Sequence, residues 1–323
     1  MILKIFHNRQ ILWQLVLLVV FFALMISRPV SLEPPGNYNP LYTPVYQLLT
    51  GHYWLTYTFF IVLVLSEIVL LQLLVNHYRL IPQDNFLVVF IWLLLLFSNP
   101  DMMSVSPVLI TSVISTWGLY KLLGFSEQEN KLAVLFSIGF IFSVASLFYS
   151  LMLLFFIVLI LATIVLSIAN WRELAVLFIS LALPYLYLYV YAFVSGESIT
   201  YLTGIPSQAA IPNWRGLLQT HWVSLLIGFL IFLLALVSLL GFYMNFLYKL
   251  IQIRNYVLVL SMMLAFFILV QFMAGKFWLV HAVLIFIPLS ILLAMALNDR
   301  PKQRFSNLLI ILILVLEIFQ RFY

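Results

Sequence analysis

The sequence predicts an all-α fold, a polytopic transmembrane helical bundle of about 11 helices (10–12) that forms a single integral membrane domain over residues 1–323. Of the 323 residues, 65% are hydrophobic and only 8% are charged, whereas soluble domains are about half apolar and a quarter charged. The mean hydropathy of +1.17 is too high for a core hidden under a polar surface. The composition therefore excludes soluble enzymes, disordered tails and nucleic-acid-binding modules, and we expect no nucleic-acid partner.

Residue counts narrow the possible chemistry further. The chain has no cysteine and five histidines, none of them in an HExxH-type pair. Disulfides, iron–sulfur clusters and thiol nucleophiles are thereby excluded, and a built-in zinc site is disfavoured. The net charge of +5 comes from cations scattered singly between apolar runs. This pattern is typical of residues that control membrane topology.

Apolar runs, each judged against the roughly 20 residues that a spanning helix needs, mark the predicted helices. The runs cover residues 11–27, 57–76, 86–98, 102–120, 132–168, 174–194, 222–247, 255–273, 277–297 and 307–320. The first resembles a signal peptide, but no small-x-small cleavage site follows it, so we expect a retained first helix. The run 86–98 would rise only about 20 Å. The last run, 307–320, ends at the C-terminus and contains Glu317. We expect each of these two runs to be tilted into protein or only partly inserted.

The run 132–168 decides the topology. As one helix its 37 residues would extend about 56 Å, nearly twice the hydrocarbon thickness, whereas two crossings require a turn near Phe148, Tyr149 and Ser150. With two crossings and a cytoplasmic N-terminus, eleven of the fifteen Lys and Arg residues lie inside. The four outside are Arg28, Arg215, Lys276 and Arg321. One crossing would give eight against seven, so the positive-inside rule favours two crossings and an external C-terminus.

This topology makes two long segments external. Loops 28–56 and 195–221 are both rich in Pro, Gly, Tyr and Trp. Long loops in a compact fold are usually functional or disordered, and these contain too many aromatic residues for disorder. We therefore expect both to lie on the membrane interface or to dip into it.

Two external carboxylates are candidate catalytic groups. Glu33 precedes Pro34 and Pro35, which stiffen the loop, and a carboxylate on a stiff external loop is a candidate general base. Asp101 lies in the next external loop, so the two side chains are expected to meet over the bundle. The alternatives are an interfacial loop charge for Glu33 and a helix N-cap for Asp101, where the helix dipole favours an anion.

Other polar residues complete the candidate set. Glu67 lies in the middle of an apolar run, where a carboxylate normally faces a cavity or a partner, and Gln72 is expected to share its face. Functional and structural roles stay equally open for Glu67. Arg215 and Lys276 are external cations suited to anionic headgroups or pyrophosphates, although Arg215 beside Trp214 also fits simple anchoring. The expected substrate-binding residues are Arg215, Lys276, His221, Trp214, Tyr38 and His52.

Several motifs resemble a family of multi-pass inner-membrane proteins of Bacteroidota, a domain of unknown function. That family reads GLASLFYxPxLLF, then a basic turn with WRE, then LLPYLFLxxYYF. Here residues 145–149, 171–173 and 183–186 match, and FSNPDMMSVSP at 97–107 is similar to the family's FPEFLxLSP. Ser150 stands where the family often has proline, and Glu33 stands where an Asp is expected.

The layout also resembles the C-type superfamily of membrane glycosyltransferases. The resemblance implies an envelope enzyme of the bacterial inner membrane that uses a polyprenyl-phosphate-linked sugar, with membrane lipids as partners. Glu33 would be the base, and Asp101 would support it or ligate a divalent cation, the one cofactor left open. Arg215 and Lys276 would hold the donor phosphate, and aromatic loop residues would line the sugar site. Two alternatives remain: a non-catalytic scaffold or partner subunit of envelope assembly or secretion, and a transporter centred on Glu67 with a water-filled cavity. Protein partners stay unknown.

Overall fold

The fold was analysed in a computed structural model of the chain. The structure describes residues 29–35, 39–82, 85–99, 102–125, 130–166, 170–196, 222–244, 249–273, 282–299 and 304–322, together with the single residues 3, 6, 14, 16 and 19.

The described residues form eleven α-helices, one 3₁₀ helix and two very short strands. In chain order these are β1 (Ser31–Leu32), α1 (Tyr42–Leu49), α2 (Tyr53–His77), α3 (Leu87–Phe97), β2 (Ser104–Val105), α4 (Pro107–Leu123), α5 (Lys131–Phe148), the 3₁₀ helix (Ser150–Phe155), α6 (Phe156–Leu166), α7 (Trp171–Ser195), α8 (Trp222–Tyr243), α9 (Ile251–Met273), α10 (Val283–Asp299) and α11 (Arg304–Phe322). The predicted all-α bundle is confirmed.

Five of these helices are long and apolar enough to cross a membrane. They are Tyr53–His77, Lys131–Phe148, Trp171–Ser195, Leu225–Tyr243 and Ile251–Gln271. Shorter apolar helices accompany them at Leu87–Phe97, Pro107–Leu123, Ser150–Leu166, Val283–Asp299 and Phe305–Glu317. Every apolar run from 57–76 onward thus contains a helix, and the chain has the character of a membrane protein.

The predicted break within 132–168 is confirmed. Helix α5 ends at Phe148, and Tyr149 is extended at φ −139° and ψ 101°. The chain then continues into the 3₁₀ helix and α6. Because a helix cannot continue through an extended residue, this segment forms two helices, as the charge distribution predicts.

Helix α3 is the most enclosed helix of the described fold. All eleven of its residues are buried, and it packs mainly against α10 and α2. An apolar helix without a polar face is stable only when other elements surround it. The expectation that run 86–98 lies within protein therefore agrees with its burial.

The helix predicted over 102–120 begins later than expected. Residues 102–106 are buried but form β2 and its flanks, and α4 starts at Pro107. Ser106 caps this helix, since its Oγ accepts a hydrogen bond from the Leu109 N–H at 3.1 Å. The interpretation of Asp101 as the N-cap of this helix is therefore wrong.

Helices α5 and α7 pack at unusually close range. A Cβ on Gly139 would lie 1.9 Å from Ser180 Oγ, so only glycine fits there. Along the same seam the Ser143 hydroxyl donates to Leu181 O at 2.7 Å, and the Ser146 and Tyr185 hydroxyls lie 2.8 Å apart. Small residues that allow close approach and interhelical hydrogen bonds are typical of membrane helix pairs.

Candidate functional site

Two of the loops that are expected to be external meet in a two-stranded parallel ladder. Ser31 pairs with Ser104, and Leu32 pairs with Val105. The Ser31 N–H donates to Met103 O at 3.2 Å, and the Glu33 N–H donates to Val105 O at 3.1 Å. The loop segments carrying Glu33 and following Asp101 are therefore adjacent, as the sequence predicts, while the carboxylate of Asp101 lies outside the described residues.

A buried tyrosine stabilises this ladder through hydrogen bonds to both loops. Tyr42, the first residue of α1, has no exposed surface. Its phenol lies 2.7 Å from Glu33 O and 2.8 Å from Val105 O, so one hydroxyl proton is shared between a carbonyl of each loop. Helix α1 is held in turn by the Thr56 hydroxyl, which donates to Leu49 O at 3.3 Å. The backbone at Glu33 is thus fixed from two sides.

Strand pleat determines which side chains share a face of the ladder. Side chains alternate along a strand, so the pairing of Ser31 with Ser104 places Glu33 on the same face as Ser104. Glu33 Oε2 and Ser104 Oγ are both buried, and neither has a hydrogen-bond partner among the described residues. Buried polar atoms are normally paired. This face therefore presents an acceptor and a hydroxyl that a ligand could satisfy.

The environment of Glu33 suits proton transfer. Burial raises the pKa of Glu33 from its usual 4.5 to about 7, because a partly dry site penalises the charged form. Burial also raises the pKa of the phenols of Tyr42 and Tyr149, and the negative charge of Glu33 adds to both shifts. A carboxyl with a pKa near the working pH can accept a proton and return it.

The other predicted site residues divide into two groups. His52 is exposed at the N-cap of α2, and its side chain makes no capping hydrogen bond. The remaining candidates lie outside the described residues: Tyr38, Asp101, Trp214, Arg215, His221 and Lys276. The structure therefore places Glu33 in a defined site and leaves the donor-phosphate contacts as predictions.

Glu67 lies in a packed interface between α2 and α4. The Thr116 hydroxyl donates to Glu67 Oε1 at 2.6 Å, and neither residue has any exposed surface. Gln72 does not join them, since its Nε2 donates to Asn76 Oδ1 and Asn85 O. Zero exposure leaves no water-sized space beside Glu67. The water-filled cavity that the transport hypothesis needs is thus not seen around this carboxylate.

Sequence reasoning missed the residues that surround both carboxylates. Tyr42 and Ser104 had no distinguishing pattern, since each is a single polar group inside a loop or an apolar run. Tyr149 stands in the ASLFYS segment that was singled out as a motif, which was the one available signal. Thr116 lies 49 residues from Glu67, and no spacing rule links the two.

No metal centre is seen in the described part of the chain, where no group of three His, Asp or Glu residues is close enough to hold an ion. No protein-family model matches the chain, and no curated protein or solved structure matches it.

Proposed function

We propose that this chain is a multi-pass protein of the bacterial inner membrane that acts in cell-envelope biogenesis as a C-type-like glycosyltransferase. The donor is a polyprenyl-phosphate-linked sugar. The observation that supports this proposal is the buried carboxylate oxygen of Glu33, which has no hydrogen-bond partner among the described residues and lies on a ladder between two loops. The resemblance of the loop layout to C-type enzymes points the same way.

The proposed reaction uses Glu33 as a general base. Glu33 takes the proton of an acceptor hydroxyl, and that oxygen attacks the anomeric carbon of the sugar. The bond between this carbon and the phosphate oxygen breaks, and the electron pair leaves with the polyprenyl phosphate. Arg215 and Lys276 stabilise the phosphate charge as it develops. A divalent cation beside Asp101 is compatible with this scheme and is not required by it.

The test is sugar transfer in membrane vesicles supplied with a radiolabelled polyprenyl-phosphate hexose. Glu33→Gln is expected to lower transfer by about 10²-fold or more, because general-base catalysis contributes that much, while Glu33→Asp retains part of it. Asp299→Asn is the matched control, since it removes a carboxylate from a partly exposed ion pair with Lys249, and such pairs contribute little. Absence of transfer by the wild-type protein, or equal transfer by Glu33→Gln, would contradict the proposal.

A second candidate is a non-catalytic partner subunit of an envelope assembly or secretion system. Under this alternative, helix α7 offers the surface for a partner, because it packs mainly on α5 and exposes large side chains along its other faces. The most exposed are Trp171, Tyr187, Tyr191, Phe193 and Val194. Under this alternative Glu33→Ala leaves function and assembly intact, whereas exchanging these exposed side chains for Ala abolishes co-purification of a partner.

A further inference from the structure

The register between α2 and α4 gives the depth of the Glu33 site. Because Thr116 is hydrogen-bonded to Glu67, these two residues lie at the same level of the bundle. Tyr53 begins α2 fourteen residues before Glu67, about 21 Å away at 1.5 Å per residue. Pro107 begins α4 nine residues before Thr116, about 13 Å away. Measured along the helices from the N-terminal end of α2 towards Glu67, the start of α4 thus lies about 8 Å deeper in the bundle than the start of α2.

Direct contacts agree with this depth. Strand β2, just before Pro107, contacts α2, so it lies beside the helix and not above it. Residues 102–106 are all 4% exposed or less. Since Glu33 is hydrogen-bonded to Val105 of β2, the Glu33 site shares this recessed position.

The outer surface of α2 shows where the membrane boundary falls. Exposed aliphatic side chains follow one face at helical spacing, at Val62, Leu65, Val69 and Leu73. The face ends in an aromatic rim formed by Tyr53, Trp54 and Tyr57, in which Tyr53 stacks on Tyr57 and lies edge-on to Trp54. Trp54 is 78% exposed. Exposed Trp and Tyr at the end of an apolar stripe are typical of the headgroup level.

Length supports the same assignment. The 25 residues of α2 extend about 37 Å, which exceeds the hydrocarbon core by about 7 Å. The headgroup layer on each side of that core is only about 5–8 Å thick. With the aromatic rim at the outer edge of that layer, the whole excess lies on this side, and a site about 8 Å below the rim lies at the inner limit of the headgroup layer.

We infer that Glu33 acts within the headgroup layer, on a reacting group carried by a membrane lipid that arrives sideways from the adjoining leaflet, and not on a water-soluble molecule. The substrate part of this inference rests on the proposed function, while the depth does not. A lipid hydroxyl at this level can donate to Glu33 Oε2 and bind Ser104 Oγ, the two buried atoms that lack partners among the described residues. A soluble acceptor would first have to enter the headgroup layer.

The depth can be measured directly, because the chain has no cysteine and any single cysteine is a unique label site. Ser31→Cys, Trp54→Cys and Leu65→Cys are each labelled with NBD in phosphatidylethanolamine and phosphatidylglycerol vesicles, and depth is read from quenching by doxyl lipids. All three positions are exposed. The probe at Ser31, two residues before Glu33, is expected as deep as that at Trp54 or deeper, and shallower than that at Leu65. Strong iodide quenching without doxyl quenching at Ser31 would overturn the inference.

Substrate class is tested by cross-linking, which needs no turnover. A phospholipid with a diazirine in its headgroup is expected to label peptides containing residues 31–35 or 102–106, and excess soluble glycerol phosphate should not reduce the labelling. The lipid assignment would be overturned if no adducts formed in these peptides, or if excess soluble glycerol phosphate prevented their formation. If depth and adducts are as expected while Glu33→Gln transfers sugar normally, only the proposed function fails.

Discussion

Replacing Gly139 by Ala tests the close packing of α5 on α7. The added Cβ would lie 1.9 Å from Ser180 Oγ, 3.0 Å from Ser180 Cβ and 3.4 Å from Leu177 O. Rotating the Ser180 hydroxyl removes the first clash but breaks its 2.8 Å hydrogen bond to Leu177 O, and the Cβ contact stays too short. The helices must therefore separate by several tenths of an ångström. Overpacking of this kind costs about 1–3 kcal/mol.

The assay is reversible unfolding in mixed micelles, with the free energy of unfolding compared between variants. Gly228→Ala is the control, because no atom of the described part of the chain lies within 4 Å of the Cβ position at Gly228. Alanine is the better helix former by about 1 kcal/mol, so that change should be neutral or stabilising. Gly139→Ala should instead unfold more easily than the wild-type protein.

A second substitution identifies the cause. Ser180→Gly removes both atoms that clash and leaves Leu177 O at 3.4 Å, an ordinary contact. In a double-mutant cycle Ser180→Gly is expected to be less destabilising, or even stabilising, when Gly139→Ala is already present. The steric argument would be refuted if Gly139→Ala and Gly228→Ala were equally stable. It would also be refuted if the effects of Gly139→Ala and Ser180→Gly were additive.

Three further outcomes are expected. Since the pKa of Glu33 is raised to about 7, the folded state binds more protons than the unfolded state between pH 4.5 and 7. The wild-type melting temperature should therefore fall from pH 5 to pH 8, and Glu33→Gln should reduce that fall. Thr116→Val removes the hydrogen-bond donor to Glu67 and should lower the free energy of unfolding by about 0.6–2 kcal/mol. In a double-mutant cycle, its effect should not add to that of Glu67→Leu. Ser106→Ala removes the α4 cap and should cost about 1 kcal/mol, whereas Ser104→Ala should cost much less in the same unfolding assay.

Hydrophobic runs and charge positions were sufficient to predict most helices. The break at Tyr149 followed from charge counting across a run that was too long for one crossing. Such patterns work because membrane helices satisfy their backbone hydrogen bonds locally, so that length and polarity alone mark them. The same rule explains why the short helix α1, which lies inside a polar loop, was not predicted.

The start of α4 shows where this reasoning fails. The mostly apolar residues 102–105 are compatible with a helix, but strand β2 within them pairs with β1. That pairing depends on a segment 73 positions away in the chain, which no local pattern reveals. The residues around Glu33 could not be predicted for the same reason, because Tyr42, Ser104 and Tyr149 come from three separate parts of the sequence. The carboxylate itself could be predicted, since an acid followed by two prolines on an external loop is conspicuous.

The ladder between β1 and β2 also sets an order for biosynthesis. Ser31 leaves the ribosome 73 residues before its partner Ser104, a delay of about 4–15 s at ordinary elongation rates. During that time helices α2 and α3 must enter the membrane in the correct orientation, because β2 follows α3 directly. A chain whose α2–α3 hairpin inserts wrongly cannot bring the two strands together. Closure of the Glu33 site is thus a late event that reports correct insertion of everything between its two strands.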